Sequence, residues 1–562
     1  MSTPATDAWP LVLAGPIVRR ASAGGVAIWI ALSAPRRIAA TVYRGTGDQI
    51  AATGEADTVA IGDRLHVALV RARGALSWGA LYGYQLTADG EPVTGPELAY
   101  PDAGLARPGF AMPPDDPAAL RILHGSCRLP HGEGADALTC ADAIIAAAAA
   151  DPAERPHHLL LTGDQVYVND VAPELLPTLT RLGRELLGWD EELPDGAGRC
   201  SDHPAGSREP LIRDRGGLLE HGDGNHLLGF GEMAALYCLA WSDALWPADL
   251  PDRGRGARMR RFVAGLPAVR RALANCQLLT IFDDHEVTDD WNLTLHWCRS
   301  VLGRPLGRRI VSNALAAYAV FQGWGNRPDA FDRGPGRALL DAVAGWRGDP
   351  ATARAIERLV GLPEPAEIEA SDPPALAPPD DAVDWWYDYR GPGYRLLVLD
   401  QRTRRAYPGP SEVDRPALLS DRAMAQQLAP PAGDGAGELL FVVSSSALLA
   451  IPKPWYARLV GWLSRQWNRH RYGARYADVY GPDRGDGWSR NQPAFDRLLA
   501  ALARAAPGGR AVALVGDIHI GSAARLRYRG DGDLALVQLT ASPLRKEHRG
   551  TRLAHRIGFG LL

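Results

Sequence analysis

The chain opens with short runs in which aliphatic and aromatic side chains dominate. Residues 26–32, 39–43, 65–70 and 82–86 are such runs, divided by Gly, Pro and Asp turn residues. Their spacing predicts an N-terminal β-sandwich domain over residues 8–110. Residues 108–117, rich in Pro and Asp, read as a linker. The pattern then changes to strand, helix, strand: 122–125 and 157–161 are apolar and strand-like, and the Ala-rich stretch 135–149 between them is helical. Residues 170–274 read as mostly helical, with a Gly/Asp/Arg loop near 200–223. A strand returns at 277–282, helix at 300–362, and a Pro/Glu/Asp surface loop at 363–380. Strands at 385–390, 394–399, 439–444, 511–515 and 534–539 alternate with helical patterns at 416–428, 455–469 and 492–506. This alternation predicts an α/β core, sheets between helices, over residues 119–550.

Length agrees with two domains, since 562 residues exceed what one hydrophobic core holds. Apolar residues make up 46% and the net charge is −4, so no basic excess points to nucleic acid. Only Lys453 and Lys546 are lysines; arginine carries almost all the positive charge. The six cysteines, at 127, 140, 200, 238, 276 and 298, form no C-x-x-C pair and make no disulfide framework. No apolar run is long enough to span a membrane. Arg19-Arg20 before the run 26–32 imitates an export signal, but that run is short and carries Trp29. A first strand pair and a cytoplasmic location are expected, with a periplasmic or secreted one as the alternative.

Four strand-like segments end in metal-seeking side chains: Ser126-Cys127, Gly163-Asp164-Gln165-Val166-Tyr167, Asp283-Asp284-His285-Glu286 and Gly516-Asp517-Ile518-His519. Ligand sites in α/β sheets gather beyond the carboxyl ends of strands. Gly163 lets the backbone turn, so Asp164 projects from a strand tip, and a carboxylate can bridge two metals. Tyr167 is close enough in sequence to reach the same ion. Asp517 and His519 offer a hard oxygen and an imidazole nitrogen. Three acids around His285 are costly after a buried strand unless a cation neutralises them. Each segment alone has another reading, as a turn, a surface loop, a helix N-terminus or a structural Cys; together they point to one dinuclear metal centre.

As an ordered set these segments resemble the motifs of the PhoD-like alkaline phosphatase D family, within the calcineurin-like metallophosphatases. Leu399-Asp400-Gln401-Arg402 and Thr540-Ala541-Ser542-Pro543 are similar to further family strands, and Gly15-Pro16-Ile17-Val18-Arg19-Arg20 leading to Trp29 resembles the family's β-sandwich domain. The resemblance implies a four-layer αββα catalytic core with helical insertions. It implies Fe3+ with one or more Ca2+ ions, other divalent metals being possible. Cys127, Asp164, Tyr167 and His519 would hold iron, and Asp164 would bridge to a second ion completed by Asp284 and Asp517. His285 would contact phosphate or assist the leaving group. Gly224-Asn225-His226 spells the Asn-His element of ordinary metallophosphatases, but Leu227 follows where an acid is usual, and Asp284-His285 is preferred. Ser444-Ser445-Ser446 stands where those enzymes supply a histidine, which weakens the expected hold on the second metal.

The expected activity is hydrolysis of a small-molecule phosphate ester, mono- or diester, by a metal-activated water. Arg128 and Arg402 are candidate phosphate clamps, because guanidinium binds such oxygens bidentately; a surface ion pair is the alternative for each. The alternative is a non-catalytic metal-containing binding protein on the same scaffold. An acyl hydrolase using Ser444–Ser446 lacks a G-x-S-x-G elbow. The Trp- and acid-containing insertion 230–247 is expected to wall the pocket. Neither the oligomeric state nor the natural ester is legible.

Overall fold

The computed structural model describes residues 9–219, 224–430, 437–449 and 486–546, with isolated positions at 462, 466, 469, 470 and 473. Most of the helical pattern at 455–469, and Lys453, therefore lie outside the described residues. The fold is mixed α/β, with one large antiparallel sheet, two smaller sheets and many helices.

The first nine strands are β1 (Val12–Ser22), β2 (Gly25–Leu32), β3 (Arg37–Arg44), β4 (Ile50–Asp57), β5 (Val59–Gly62), β6 (Leu65–Arg73), β7 (Leu81–Ala88), β8 (Glu91–Pro92) and β9 (Gly109–Ala111). The expected sandwich takes the form of a single ladder rather than two separate sheets. Its order is β1-β2-β6-β4-β3-β7-β8, with β5 on β6 and β9 on β7. The ladder folds over a core of its own, where Ile28, Ile30 and Val70 meet Ile38, Val42, Tyr84 and Leu86. The other face of β1, β2 and β6 carries Ile17, Trp29, Ala31 and Val67 into the main core. Strand β2 is thus buried on both faces, which explains its unbroken apolar run. Trp29 Nε1 donates to Val320 O at 3.0 Å. The twin arginines lie within β1. Arg19 is buried and donates to Asn326 Oδ1 (2.7 Å) and Gln322 O (2.9 Å). The stretch read as a linker contains β9, which pairs with β7.

The second sheet is parallel, in the order β10 (Ile122–Gly125), β11 (His158–Thr162), β12 (Gln277–Ile281). The third runs β13 (Tyr387–Gly391), β14 (Tyr394–Val398), β15 (Leu439–Ser444), β16 (Arg510–Val515), β18 (Asp533–Thr540), β17 (Ser522–Arg529). Its four central strands, β14, β15, β16 and β18, are parallel. Period-two alternation divides its faces. Tyr394, Leu396, Val398, Phe441, Val443 and Leu514 join the main core that also holds β11 and β12. Leu397, Leu440, Val442, Ala511, Ala513 and Val515 pack with the helices Asp421–Gln427 and Gln492–Ala505. His158 crosses between the sheets, its Nε2 2.6 Å from Tyr394 OH.

The helix Phe230–Trp241 is buried at every residue. Its one charged residue, Glu232, is paired with Arg208, and so apolar a helix belongs inside a protein. Among the described residues no helix is long and apolar enough to cross a membrane. All six cysteines are free thiols, and only Cys140 is exposed.

Candidate metal centre

Strands β10, β11 and β12 run parallel, so the segments after them leave the sheet side by side. The parallel strands β15 and β16 deliver Ser445 and Gly516 to the same place. Gly516 approaches so closely that a Cβ there would sit 2.6 Å from Ser126 Oγ and 2.7 Å from Thr162 Oγ1. At Gly163, with φ +105°, a Cβ would fall 2.5 Å from Asp283 Cβ. Both positions require glycine, one for close approach and one for conformation as well.

Four of the expected ligands then adopt left-handed backbone. Cys127 has φ 60°, Asp164 56°, Asp517 64° and His519 53°. Non-glycine residues avoid this region, and its use costs about 1–3 kcal/mol each. Such outliers cluster where side chains must be aimed. Here Cys127, Asp164 and Asp517 each come two residues after a strand end, and His519 two residues later.

The donors converge on Asp164. Its Oδ2 lies 3.3 Å from Cys127 Sγ and 3.2 Å from Tyr167 OH. Its Oδ1 accepts the His285 backbone N–H at 3.3 Å. Ligand atoms of Asp164, Asp284 and His285 lie within 4.8 Å of one another, as do those of Asp284, Asp289 and Asp290. Asp517 joins through its backbone: its N–H donates to Ser126 Oγ (3.1 Å), and its carbonyl lies 3.7 Å from Cys127 Sγ. His519 sits two residues further along this loop, partly exposed, its N–H on Asp517 O at 2.7 Å.

Two carboxylates that carried no assigned role hold this geometry. Glu286 accepts backbone N–H bonds from Asp164 (2.9 Å), Gln165 (2.7 Å) and Asp283 (2.9 Å), tying the ends of β11 and β12 together. Asp283 receives Arg402 (2.5 Å) and Ser445 Oγ (2.8 Å).

The two arginines read as clamps behave differently from that reading. Arg128 is fully buried. Its Nε and Nη2 bind Asp136 at 2.8–3.2 Å, Nη1 donates to Ala240 O at 2.7 Å, and the guanidinium lies over the Phe262 ring. It faces the helical layer with its donors engaged, and a clamp role does not fit that placement. Arg402 does reach the cluster, but its partners are Asp283 (2.5 Å), Asp284 (3.5 Å) and Asp486 (3.0 Å). It acts as a counter-ion for the acids. His285 places Nδ1 2.8 Å from Asn169 Oδ1 and Nε2 3.1 Å from Lys546 Nζ. Its ring lies 4.3 Å from that of Tyr167. Ser444 and Ser445 are buried, with hydroxyls on Gln401, Ser446 O and Asp283. His226 is also buried and belongs to neither ion-sized group among the described residues.

The electrostatics match a missing positive charge. Burial, then Asp284, Asp283 and Glu286, push Asp164 well above the usual carboxylate range. Burial, then Asp283 and Asp284, do the same to Asp517. Burial and Asp164 raise both the Cys127 thiol and the Tyr167 phenol. Asp283 rises to about 6, burial outweighing Arg402. The buried Asp283 Oδ2 and Asp284 Oδ1 have no hydrogen-bond partner. A cation among these groups reverses that balance, deprotonating thiol and carboxyl alike. The residues present therefore fit a metal centre.

No protein-family model matches this sequence, and no curated protein matches it. A solved structure titled "Structure of PhoD" aligns with 97% of this chain and 79% of that chain, at 13% identity and a TM-score of 0.49. A likeness at that level assigns no chemistry, and the functional reading stands on the geometry above.

Proposed function

We propose that the chain is a metal-dependent phosphoesterase of the alkaline phosphatase D type, acting on small phosphate esters. The observation that carries this reading is the meeting of Cys127, Asp164, Tyr167 and Asp284 at strand ends, with Asp517 bonded into the same loops. On this reading Cys127, Asp164, Tyr167 and His519 hold a ferric ion, since thiolate and phenolate suit an iron of high charge. Asp164, Asp284 and Asp517 hold calcium or another hard divalent ion through oxygen. Cations so held polarise phosphoryl oxygens and bring the pKa of an attacking water toward neutrality. On the same reading, the three-stranded and six-stranded sheets with their outer helices make up the four-layer αββα core, and residues 8–110 form an N-terminal domain packed against it.

The chain's own residues do the rest. Glu286 fixes the backbone that presents Asp164. Arg402 neutralises Asp283 beside the site. Gly516, having no Cβ, leaves room for Ser126 and Thr162, so that the Asp517 loop lies against the Cys127 loop. Burial excludes bulk water from Cys127 and Tyr167, which strengthens every charge interaction there.

The test is turnover of an aryl phosphate by the purified protein and its Asp164→Asn variant, with metal analysis of both. The native protein is expected to carry iron and to hydrolyse the ester. The variant keeps the fold and loses turnover. Activity retained in Asp164→Asn would refute the proposal. Bound metal without hydrolysis of any mono- or diester would favour a binding protein instead.

A further inference from the structure

Lys546 is one of two lysines in a chain otherwise supplied with arginine. It lies at the candidate centre, half-buried. Its Nζ is 3.1 Å from His285 Nε2 and 4.4 Å from the centre of the Tyr167 ring. The backbone before it is pinned to the loop that carries Cys127. Leu544 N donates to Ser126 O (2.7 Å), Arg545 N to Cys127 O (2.9 Å) and Leu129 N to Arg545 O (2.9 Å). Arg545 faces away, donating to Arg258 O at 2.7 Å with its guanidinium over Phe262. The alternation thus turns Lys546 toward the cluster and Arg545 from it.

Two groups lie within hydrogen-bond reach of the His285 ring, Asn169 at Nδ1 and Lys546 at Nε2, while Asp289 Oδ1 stands further off, 3.9 Å from Nε2. Asn169 Oδ1 accepts, so Nδ1 carries the proton; Nε2 is then a lone pair receiving from the lysine ammonium. In that tautomer the imidazole offers no donor outward. The ammonium does, because it has three N–H groups and one suffices for His285. Nearby, Asp170 lies 3.3 Å from His131 Nε2, and its carboxyl is held at about 2: burial pushes it up, but the hydrogen bond to His131 and the charges of His131 and Lys546 prevail. The surrounding guanidinium groups are committed elsewhere, Arg128 to Asp136 and Arg402 to Asp283, Asp284 and Asp486.

We propose that Lys546 is a substrate-binding residue that receives a terminal phosphoryl oxygen, and that it makes the centre selective for phosphate monoesters over diesters. The inference rests on the phosphoesterase reading. A monoester brings one more terminal oxygen and one more negative charge than a diester. Where that oxygen meets the ammonium, a diester presents an uncharged ester oxygen and its substituent. A hydrogen bond between charged groups is stronger than one to a neutral acceptor, so the lysine distinguishes the two classes. His285 and Asn169 serve as positioning residues that hold the ammonium over Tyr167.

The experiment compares kcat/KM for an aryl phosphate and a bis-aryl phosphate in the native protein, Lys546→Gln and Lys546→Arg. Lys546→Gln is expected to lower monoester kcat/KM roughly 10–100-fold and diester kcat/KM far less, with Lys546→Arg recovering most of the monoester loss. Equal losses on both esters, or no loss on either, would overturn the inference while leaving the phosphoesterase reading intact. Failure of the native protein on both esters would instead remove that reading. Calorimetric titration with inorganic phosphate decides separately from turnover. Binding about tenfold weaker or more in Lys546→Gln supports the assignment, and unchanged binding overturns it.

Discussion

Arg402 separates two accounts of the centre, and replacing it with Met distinguishes them. Its guanidinium is fully enclosed and lies 2.5 Å from Asp283, 3.0 Å from Asp486 and 3.5 Å from Asp284. Asp486 keeps Arg405 at 2.5 Å when Arg402 is lost, but Asp283 keeps only Ser445 Oγ. Breaking one side of a buried ion pair costs about 3–5 kcal/mol, so Arg402→Met should destabilise the chelated protein by that order at pH 8. The cost has a pH dependence of defined sign. Asp283 titrates at about 6, above its unfolded value. That value holds with Arg402 present; losing the guanidinium raises it further, so the penalty is largest at high pH, shrinks as pH falls toward 6 and is small below it. Adding Asp283→Asn removes the stranded charge. The double variant should be less destabilised than the sum of the single ones by about 2 kcal/mol. Urea unfolding followed by tryptophan fluorescence reads all four proteins. If Arg402→Met unfolds like the native protein while aryl phosphate turnover vanishes, or if the two changes are additive, the guanidinium is a substrate clamp and the counter-ion account fails.

Two other predictions concern the sheets that carry the centre. His158 is buried between them and pushed down to about 3, mainly by burial. The unfolded chain therefore binds the extra proton, and the stability held above pH 6.5 is lost as pH falls toward 3, by about 2 kcal/mol at pH 5. His158→Gln should flatten the unfolding profile between pH 7 and 5 by that amount; an unchanged slope would show that this imidazole is not the titrating group. Gly163→Ala puts a Cβ 2.5 Å from Asp283 Cβ at a φ of +105°. It should cost about 2–4 kcal/mol and lower bound metal in the purified protein, whereas native melting and metal content would show that the turn relaxes freely.

Legibility in the sequence followed burial. The run at 26–32 was readable because β2 is covered on both faces, so its composition alone marks it. Strand β17 carries a period-two signal, half-buried Ala524, Leu526 and Tyr528 alternating with outward Arg525, Arg527 and Arg529, but its many arginines and few apolar residues leave that signal faint. Strand β9 hid inside a Pro-rich stretch because it is short and recognised only by its pairing with β7. The ligand-bearing segments stood out through their place after apolar runs. The left-handed turns at Cys127, Asp164, Asp517 and His519 have no such signal: Asp and His adopt that region more readily than other non-glycine residues, but most Asp and His in the chain do not, and Cys127 gives no hint at all. Arg128 and Arg402 looked alike because each follows a strand-end motif. What distinguishes them is tertiary: Asp136 captures one and three carboxylates the other. Lys546 did carry a sequence signal, its rarity among so many arginines, but nothing local said which way it turned.

The hydrogen bond from the Asp517 backbone to Ser126 joins positions 391 residues apart. During synthesis the ribosome makes the Cys127 end of the centre long before the Asp517 end exists. Early-made chain thus holds a thiol, a phenol and several acids with no finished cage, and a prematurely terminated product would be inert toward esters. On the proposed reading, metal enters only once the last parallel strands have docked. Which ion is captured then depends on the supply where folding is completed.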